Sequence, residues 1–591
     1  MELKINRRFN EKDLPDMKTL IAEGQKIAKT VNIGESLFMK TYNVKSEAEY
    51  KRKMMEAGQI MKHSHIGWNS VSTTADGFRK IYDKLSAAGS YVDRFGVCLD
   101  GSMGVPQEYR DRIQVGTGQV YSTPDEWKIL SQQVPVQVHM GDHMIGSLNS
   151  VENCVNALNA GITTIGNISH YYSYEYPGLD LESERTITTC EAIVVMGCFR
   201  EQGTIIHSNL DDGMGSQFHD LANLAGWARL ERYIVEELLG GGMNFCFGNL
   251  FSDPILRIIY SKAMWDINTY KTPGSMIYGN TIDFGTNIPR NYGALSSFTM
   301  ADIIGQLKYP TGHAVTAIPV TEAIRVPSAD EIIDSHHTVD IMIEKARYYM
   351  NFIDFGRIEE EARLLNACGN VFFERVLNGL DDLGVDITHA GQIMGVLKGI
   401  GSEQLERHFG IGKRDTLAMR GRTPVCPTNI IQTISATQDN LIGRINGLDT
   451  KPLEGINVVL GATDIHVFGK EVIKKILLVA GANVYDLGDA TPVEEFADTL
   501  IETGSNFLVV STYNGMAYSF AKAMKAKLYE LHLMDVKFFM GGRLNEAIDG
   551  ANLPEDVSEQ LSEMGINVDN DAEMIVKTIK TYWESLQKQR V

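Results

Sequence analysis

The sequence predicts an α/β chain in two parts: a (β/α)8 TIM-like barrel, then a flavodoxin-like, Rossmann-type sheet. Three observations predict this. Strand-like and helix-like runs alternate through residues 91–320, and they alternate again from 455 onward. Between them lie a strongly helical stretch, 331–407, and a stretch rich in Gly, Thr, Asn and Pro, 408–454. Strands alternating with helices of ten to fifteen residues make parallel sheets covered on both faces.

The elements follow in order. Residues 1–55 read as a polar, helical N-terminal extension forming a peripheral layer, and 56–407 as the barrel with its C-terminal helices. Barrel strand candidates are 91–100, 134–140, 161–168, 203–210, 242–249, 274–280 and 313–320, with apolar-striped helices at 148–159, 183–201 and 221–239. Seven or eight such units over about 300 residues fit a barrel whose active site lies on the βα loops. A doubly wound open sheet gives the same alternation. Residues 408–454 read as an ordered wrap and linker, and 455–591 as the second domain. In that domain "GINVVLGAT" (455–463), "NVYDLGD", "NFLVVST" (506–512) and "VKFFMGG" (536–542) are strands, with helices at 469–481, 492–503, 515–530 and after 571.

Composition narrows the function classes. A net charge of −20 argues against a nucleic-acid partner or an anionic membrane surface. No apolar run reaches the roughly 20 residues that span a bilayer, and "MELKINRRFNEKD" lacks a signal-peptide core. The seven cysteines are scattered without a CxxC pair, so neither a zinc site nor a disulfide framework is indicated. A reducing cytoplasm is the expected setting.

Ligands of open α/β sheets bind at the carboxyl ends of the strands. Thr463, Asp464, His466, Ser511, Thr512, Gly541 and Gly542 all fall there. Asp464-Ile465-His466-Val467-Phe468-Gly469 matches D-x-H-x-x-G. A loop histidine offers a metal its imidazole, and an acid two residues earlier fixes the ring's tautomer. The glycine leaves room for a chain to pass between strand and helix. A turn histidine beside a tight Gly-Gly loop is the plainer alternative.

This stretch, with Ser511-Thr512 after the third strand and Gly541-Gly542 after the fourth, resembles cobalamin-binding domains. The resemblance implies a cobalt axial ligand in His466, with Thr463, Asp464, Gly469, Ser511, Thr512, Gly541 and Gly542 around the cofactor. Such domains serve methyl transfer, radical mutases and light-sensing repressors. An acidic chain without a DNA-binding helix-turn-helix does not suit a repressor. A barrel followed by this domain resembles the adenosylcobalamin-dependent carbon-skeleton mutases of the glutamate mutase family, here with both subunits in one chain. "VPVQVHMGD" (134–142), "NAGITTIGN" (159–167) and "AIPVTEAIRVPSADE" (317–331) carry that likeness. It implies that Glu322 meets the cofactor's adenosine and that the enzyme associates into homo-oligomers.

The family's three carboxylate-binding arginines correspond here to His65, a residue near Gly104, and His139, and its ammonium-binding acid corresponds to Asn167. The resemblance therefore implies a small dicarboxylate without an amine. The single-chain form points to members that interconvert 2-methyleneglutarate and 3-methylitaconate in anaerobic fermentation. A methylaspartate-forming mutase, a corrinoid methyl-transfer protein and a cobalamin sensor are the alternatives. Carboxylates taken out of water need donors. Candidates are His65, His139, His143, His170 and Arg290, helped by hydroxyls of "HYYSYEYPG" such as that of Tyr171. Arg325 is the candidate partner of Glu322.

Overall fold

The computed structural model describes residues 3–590 apart from 114–117, 177, 212, 250–251, 416–419, 446, 465–467, 489–490, 514 and 547–554. The chain forms two compact units, Met1–Thr428 and Asn429–Val591. No described helix is long and apolar enough to cross a membrane.

The first unit is a closed barrel of eight parallel strands: β1 (Lys62–Ile66), β2 (Arg94–Val97), β3 (Gln137–Met140), β4 (Thr164–Ile165), β5 (Ile205–Asn209), β6 (Met243–Cys246), β7 (Met276–Ile277) and β8 (Ala314–Thr316). Each strand pairs with its neighbour in sequence except β6 with β7, and β8 returns to β1. Phe247, one residue past β6, pairs with Ile277, and the Tyr278 N–H donates to the Phe247 carbonyl at 2.7 Å, which closes the ring. Seven strands lie inside the runs the alternation predicts. β1 is an eighth, hidden because its "KHSHI" is polar on both faces.

Period-two alternation sorts these side chains. On β1, Lys62 pairs with Asp340 and Ser64 Oγ lies 2.6 Å from His336 Nε2, both on the outer helix Ala329–Tyr349. His63 and His65 alternate with them and face inward. On β2, Phe95 stacks outward on Phe78 at 4.1 Å, while Arg94 and Gly96 face the interior. The helix Glu47–Glu56 sends Glu47 and Lys51 in among these groups. Glu47 Oε1 lies 2.8 Å from Arg94 Nε, and Lys51 Nζ donates to the carbonyls of Ser275 (2.9 Å) and Gly312 (2.7 Å). The N-terminal helices thus contribute to the barrel's interior as well as its periphery.

The second unit is a five-stranded parallel sheet in the order β10-β9-β11-β12-β15, built from β9 (Asn457–Ala462), β10 (Asn483–Asp486), β11 (Phe507–Thr512), β12 (Lys537–Gly542) and β15 (Asn567–Val568). A short hairpin, β13 (Asn545–Glu546) with β14 (Glu555–Asp556), follows β12. Alternate residues feed two cores. Val458, Leu460, Phe507, Val509 and Phe539 pack with Ile434, Ile476 and Ile579 on one face. Val459, Leu508, Val510, Phe538 and Met540 pack with Phe496, Phe520 and Met524 on the other. Burial of this kind contributes roughly 1.5–3 kcal/mol per large side chain. Residues 429–444, inside the stretch read as wrap and linker, form a helix packed by Ile434 into the first of these cores.

Candidate functional site

Two places gather chemistry-bearing residues, one in each unit. In the barrel they ring the carboxyl ends of the strands, where βα loops converge. His65, Cys98, Asp142, Tyr174 and Tyr278 are half-exposed there and Glu322 is exposed, so these side chains reach solvent. Pairing puts His65, Gly96 and His139 in one row across β1, β2 and β3. A Cβ on Gly96 would lie 2.6 Å from His63 Cε1 and 3.3 Å from His65 Nδ1, so that glycine makes space for two imidazoles. Gly166 does the same for His207, whose Nε2 lies 2.1 Å from a Cβ built there.

The interior is a histidine cluster rather than an apolar stack. The rings of His139 and His207 are 4.2 Å apart, and His207 Nδ1 is 2.9 Å from Ser275 Oγ, which also receives a bond from Arg94. Burial, and after it the Arg94 charge, holds the pKa values of His63, His139 and His207 well below the ordinary imidazole value, so these rings are neutral. His139 Nδ1 lies 3.1 Å from the Thr164 carbonyl, which only accepts. The hydrogen is therefore on Nδ1, and Nε2 presents a lone pair. Fully buried and in that tautomer, His139 offers an acceptor and not the donor a carboxylate requires.

The other expected barrel residues fall as follows. His65 Nε2 lies 3.5 Å from Cys98 Sγ at the opening. Asn167 is buried, its Oδ1 accepting from Ser169 Oγ and the Asn209 N–H and its Nδ2 lying 3.1 Å from His170 Nε2, so it acts as a strut between loops. Tyr171 turns away, its hydroxyl bonded at 2.6 Å to Thr186 on the outer helix Glu182–Cys198. Tyr174 and Tyr176 are the tyrosines that face His143, the Tyr176 hydroxyl standing 3.0 Å from its Nδ1. Burial holds His143 down to about 3. That Tyr176 hydroxyl lies 2.2 Å from where a Cβ on Gly104 would sit, so it fills the space a side chain there would need. Arg290 is exposed in the first turn of the helix Ile288–Lys308. Arg325 pairs with Glu331 at 2.7 Å, through the helix-capping box there, and not with Glu322.

One residue is new. Asp142, just past β3, has His170 Nε2 3.7 Å away as its ion-pair contact. The Asn167 amide nitrogen lies 3.1 Å from that same ring nitrogen. The signal was present in "VHMGD": an acid two residues beyond the end of a strand whose histidine faces inward.

In the second unit, β9 and β11 are neighbours whose crossovers leave in opposite directions, with β10 beyond β9. This is the switch point at which such sheets bind ligands. Thr463 and Asp464 follow β9, and Ser511-Thr512 end β11. The loops are knit together. The Thr463 N–H donates to the Ser511 carbonyl (2.9 Å), and Thr463 Oγ1 bonds Thr512 Oγ1 (2.9 Å). Asp464 Oδ2 accepts from the Tyr513 N–H (2.8 Å) and Thr463 Oγ1 (3.2 Å). Arg543 N–H donates to the Thr512 carbonyl (2.8 Å), its guanidinium stacks 4.4 Å over the Tyr513 ring, and Gly542 N–H donates to Asn570 Oδ1 (2.7 Å).

Two glycines are required by close approach. Gly542 has φ +102 and packs on the Thr512 carbonyl, 2.2 Å from a Cβ built there. Gly469 opens the helix Phe468–Val479 beside Ser511, whose Oγ is 2.9 Å from a Cβ at 469. Gly541 backs on the Asp569 carbonyl. His466 lies outside the described residues. Among the described residues no group of three or more His, Cys, Asp or Glu side chains is placed to hold a metal ion. The residues present fit a corrinoid with one protein-derived axial nitrogen: an anchored carboxylate two positions before His466, small residues lining the switch point, and a helix start with no side chain at 469.

No family model matches the chain. Among curated proteins it is similar to the glutamate mutase sigma subunit of Carboxydothermus hydrogenoformans, 32% identical over 94 residues covering 16% of this chain and 69% of that subunit. The sigma subunit of Clostridium tetanomorphum is 30% identical over 117 residues, 20% of this chain and 83% of that one. Among solved structures, a cobalamin-binding protein from Desulfitobacterium hafniense DCB-2 matches 26% of this chain and 82% of its own at 20% identity, with a TM-score of 0.20.

Proposed function

Because the chain belongs to the family of the glutamate mutase sigma subunit, we propose that it is an adenosylcobalamin-dependent mutase that rearranges the carbon skeleton of a small dicarboxylate. The reading takes the barrel as the substrate domain and residues 455–591 as the cofactor domain. Its substrate is 2-methyleneglutarate, converted to 3-methylitaconate, which makes it a 2-methyleneglutarate mutase. The observation that carries the cofactor assignment is the knitted switch point, where Asp464, Thr463, Ser511 and Thr512 meet between β9 and β11.

In this reading His466 would hold the cofactor through its imidazole, and Asp464, held by the Tyr513 N–H, would orient that imidazole and raise its basicity. Gly469 keeps the helix start clear for the cofactor's nucleotide. When bound, adenosylcobalamin supplies hydrogen abstraction by a carbon radical, and the residues around it supply position and the exclusion of water. At the barrel mouth His65 is the imidazole open to a substrate carboxylate. Tyr174 and Tyr176 wall the opening beside His143, and Glu322 is the group available to a ribose hydroxyl. Arg290, exposed on its helix, is the cationic candidate for the second carboxylate.

A second reading, a methylaspartate-forming mutase of glutamate, is favoured by one observation. Asp142 is a half-exposed side chain at the mouth, 3.7 Å from His170 Nε2, and its carboxylate would accept hydrogen bonds from an ammonium. The test is direct: incubate the protein with adenosylcobalamin and either acid, and follow carbon connectivity by NMR. Formation of 3-methylitaconate supports the first reading, and methylaspartate the second. Absence of both products, with no organic radical by electron paramagnetic resonance, would favour a methyl-transfer protein or a sensor.

A further inference from the structure

Arg543 follows Gly541-Gly542 directly, at the carboxyl end of β12. Its side chain is half-buried, and among the described residues its guanidinium has no carboxylate or carbonyl partner. It stacks instead on the face of Tyr513, at 4.4 Å. Tyr513 is itself fixed, its N–H held by Asp464 at 2.8 Å. The Arg543 backbone is fixed as well, by the bond from its N–H to the Thr512 carbonyl. Aromatic stacking holds a guanidinium in one plane without using its N–H donors. An arginine so braced and uncommitted, at the ligand edge of the sheet, is organised for an acceptor that the protein does not supply.

We propose that Arg543, braced on Tyr513, is a cofactor clamp whose guanidinium N–H groups bind an acceptor oxygen at the periphery of the bound cobalamin. This rests on the reading that the second unit binds cobalamin. The acceptor is an oxygen of the nucleotide-tail phosphodiester or of a corrin carboxamide. Both present the lone pairs a guanidinium fork requires. The clamp also joins the loop carrying Asp464 to the loop carrying Gly541-Gly542, through Tyr513.

The test is an absorbance titration of the full-length apoprotein with hydroxocobalamin, comparing the natural chain with Arg543→Met, Arg543→Lys and Tyr513→Leu. A charge-assisted bond lost on Arg543→Met should weaken binding by roughly tenfold or more, with a smaller loss for Arg543→Lys. Tyr513→Leu should fall between, because it removes the brace and leaves the charge. Circular dichroism melts of the apoproteins should coincide for the Arg543 variants, separating a clamp from a folding defect. Cobinamide, which lacks the nucleotide, identifies the acceptor: an equal loss assigns a carboxamide, and no loss assigns the phosphodiester. Hydroxocobalamin affinity within about twofold of the natural chain in Arg543→Met would overturn the clamp alone. Failure of the natural chain to bind hydroxocobalamin would instead overturn the cobalamin reading, and the clamp with it.

Discussion

Substituting Asp464 separates two roles that one carboxylate combines. Its Oδ2 accepts from the Tyr513 N–H at 2.8 Å and from Thr463 Oγ1 at 3.2 Å, and the residue is buried. In Asp464→Ala the Tyr513 N–H loses its charged acceptor. A hydrogen bond to a charged group contributes about 1.5–3 kcal/mol, so the variant should destabilise the second unit by about 2 kcal/mol. In Asp464→Asn the amide oxygen still accepts from Tyr513, and the loss should stay below about 1 kcal/mol. Cofactor affinity should behave differently. A neutral amide cannot raise the basicity of His466 as a carboxylate does, so both variants should bind hydroxocobalamin roughly 10–100-fold more weakly. Calorimetry of the apoprotein reads the first effect, and absorbance titration the second. If Asp464→Asn binds hydroxocobalamin as the natural chain does, Asp464 is a structural brace only, and its assignment as the histidine's partner is wrong.

Other outcomes follow from the same contacts. Glu47→Ala leaves Arg94 and Lys51 buried without their shared carboxylate, and should cost the barrel about 3–5 kcal/mol in urea denaturation; a loss below about 1 kcal/mol would show that solvent reaches the barrel's interior. Burial alone would raise the Asp486 carboxyl, but Lys470 and Lys474 outweigh it and hold it down to about 2. Its stabilisation is therefore complete above the ordinary carboxyl pKa and is lost as pH falls from about 4 towards 2, amounting to roughly 2 kcal/mol. Asp486→Asn should remove that acid-dependent part of the melting curve, and an unchanged curve would assign it to other groups. Tyr171→Phe should lower stability by about 1 kcal/mol through the lost Thr186 bond and leave turnover unchanged, since the hydroxyl points away from the barrel mouth. A large fall in turnover would put Tyr171 back at the substrate.

The second unit was the more legible in the sequence. Its strands are apolar runs bounded by Gly, Asn and Thr, as strands buried on both faces must be, and each predicted strand and helix appears within a few residues. Several pieces escaped: the two-residue β13, β14 and β15, too short to show a period, the short helix Ser558–Glu563, and the helix Asn429–Arg444. That last helix carries Ile434 and Leu441 on one face, with Ile445 just past its end, but polar Thr, Ser, Gln and Asn between them mask the stripe. In the barrel, β1 escaped because a barrel interior filled with histidine and arginine reverses the usual sign of the inward positions. The same polarity concealed the interior cluster of His63, Arg94 and His207, whose one visible mark was histidine on alternate strands. Tautomers lay beyond reach altogether. Only the carbonyl of Thr164 against Nδ1 reveals which nitrogen of His139 carries the hydrogen.

The most direct measurement concerns the axial nitrogen. The protein, labelled with nitrogen-15 at histidine and loaded with unlabelled cobalamin reduced to the cobalt(II) state, should give an electron paramagnetic resonance spectrum split into doublets by one labelled nucleus. The unlabelled protein should give triplets, and His466→Gly should lose the label's effect. Triplets in the labelled sample would mean that the cofactor's own base still holds the cobalt, contradicting His466 as its ligand.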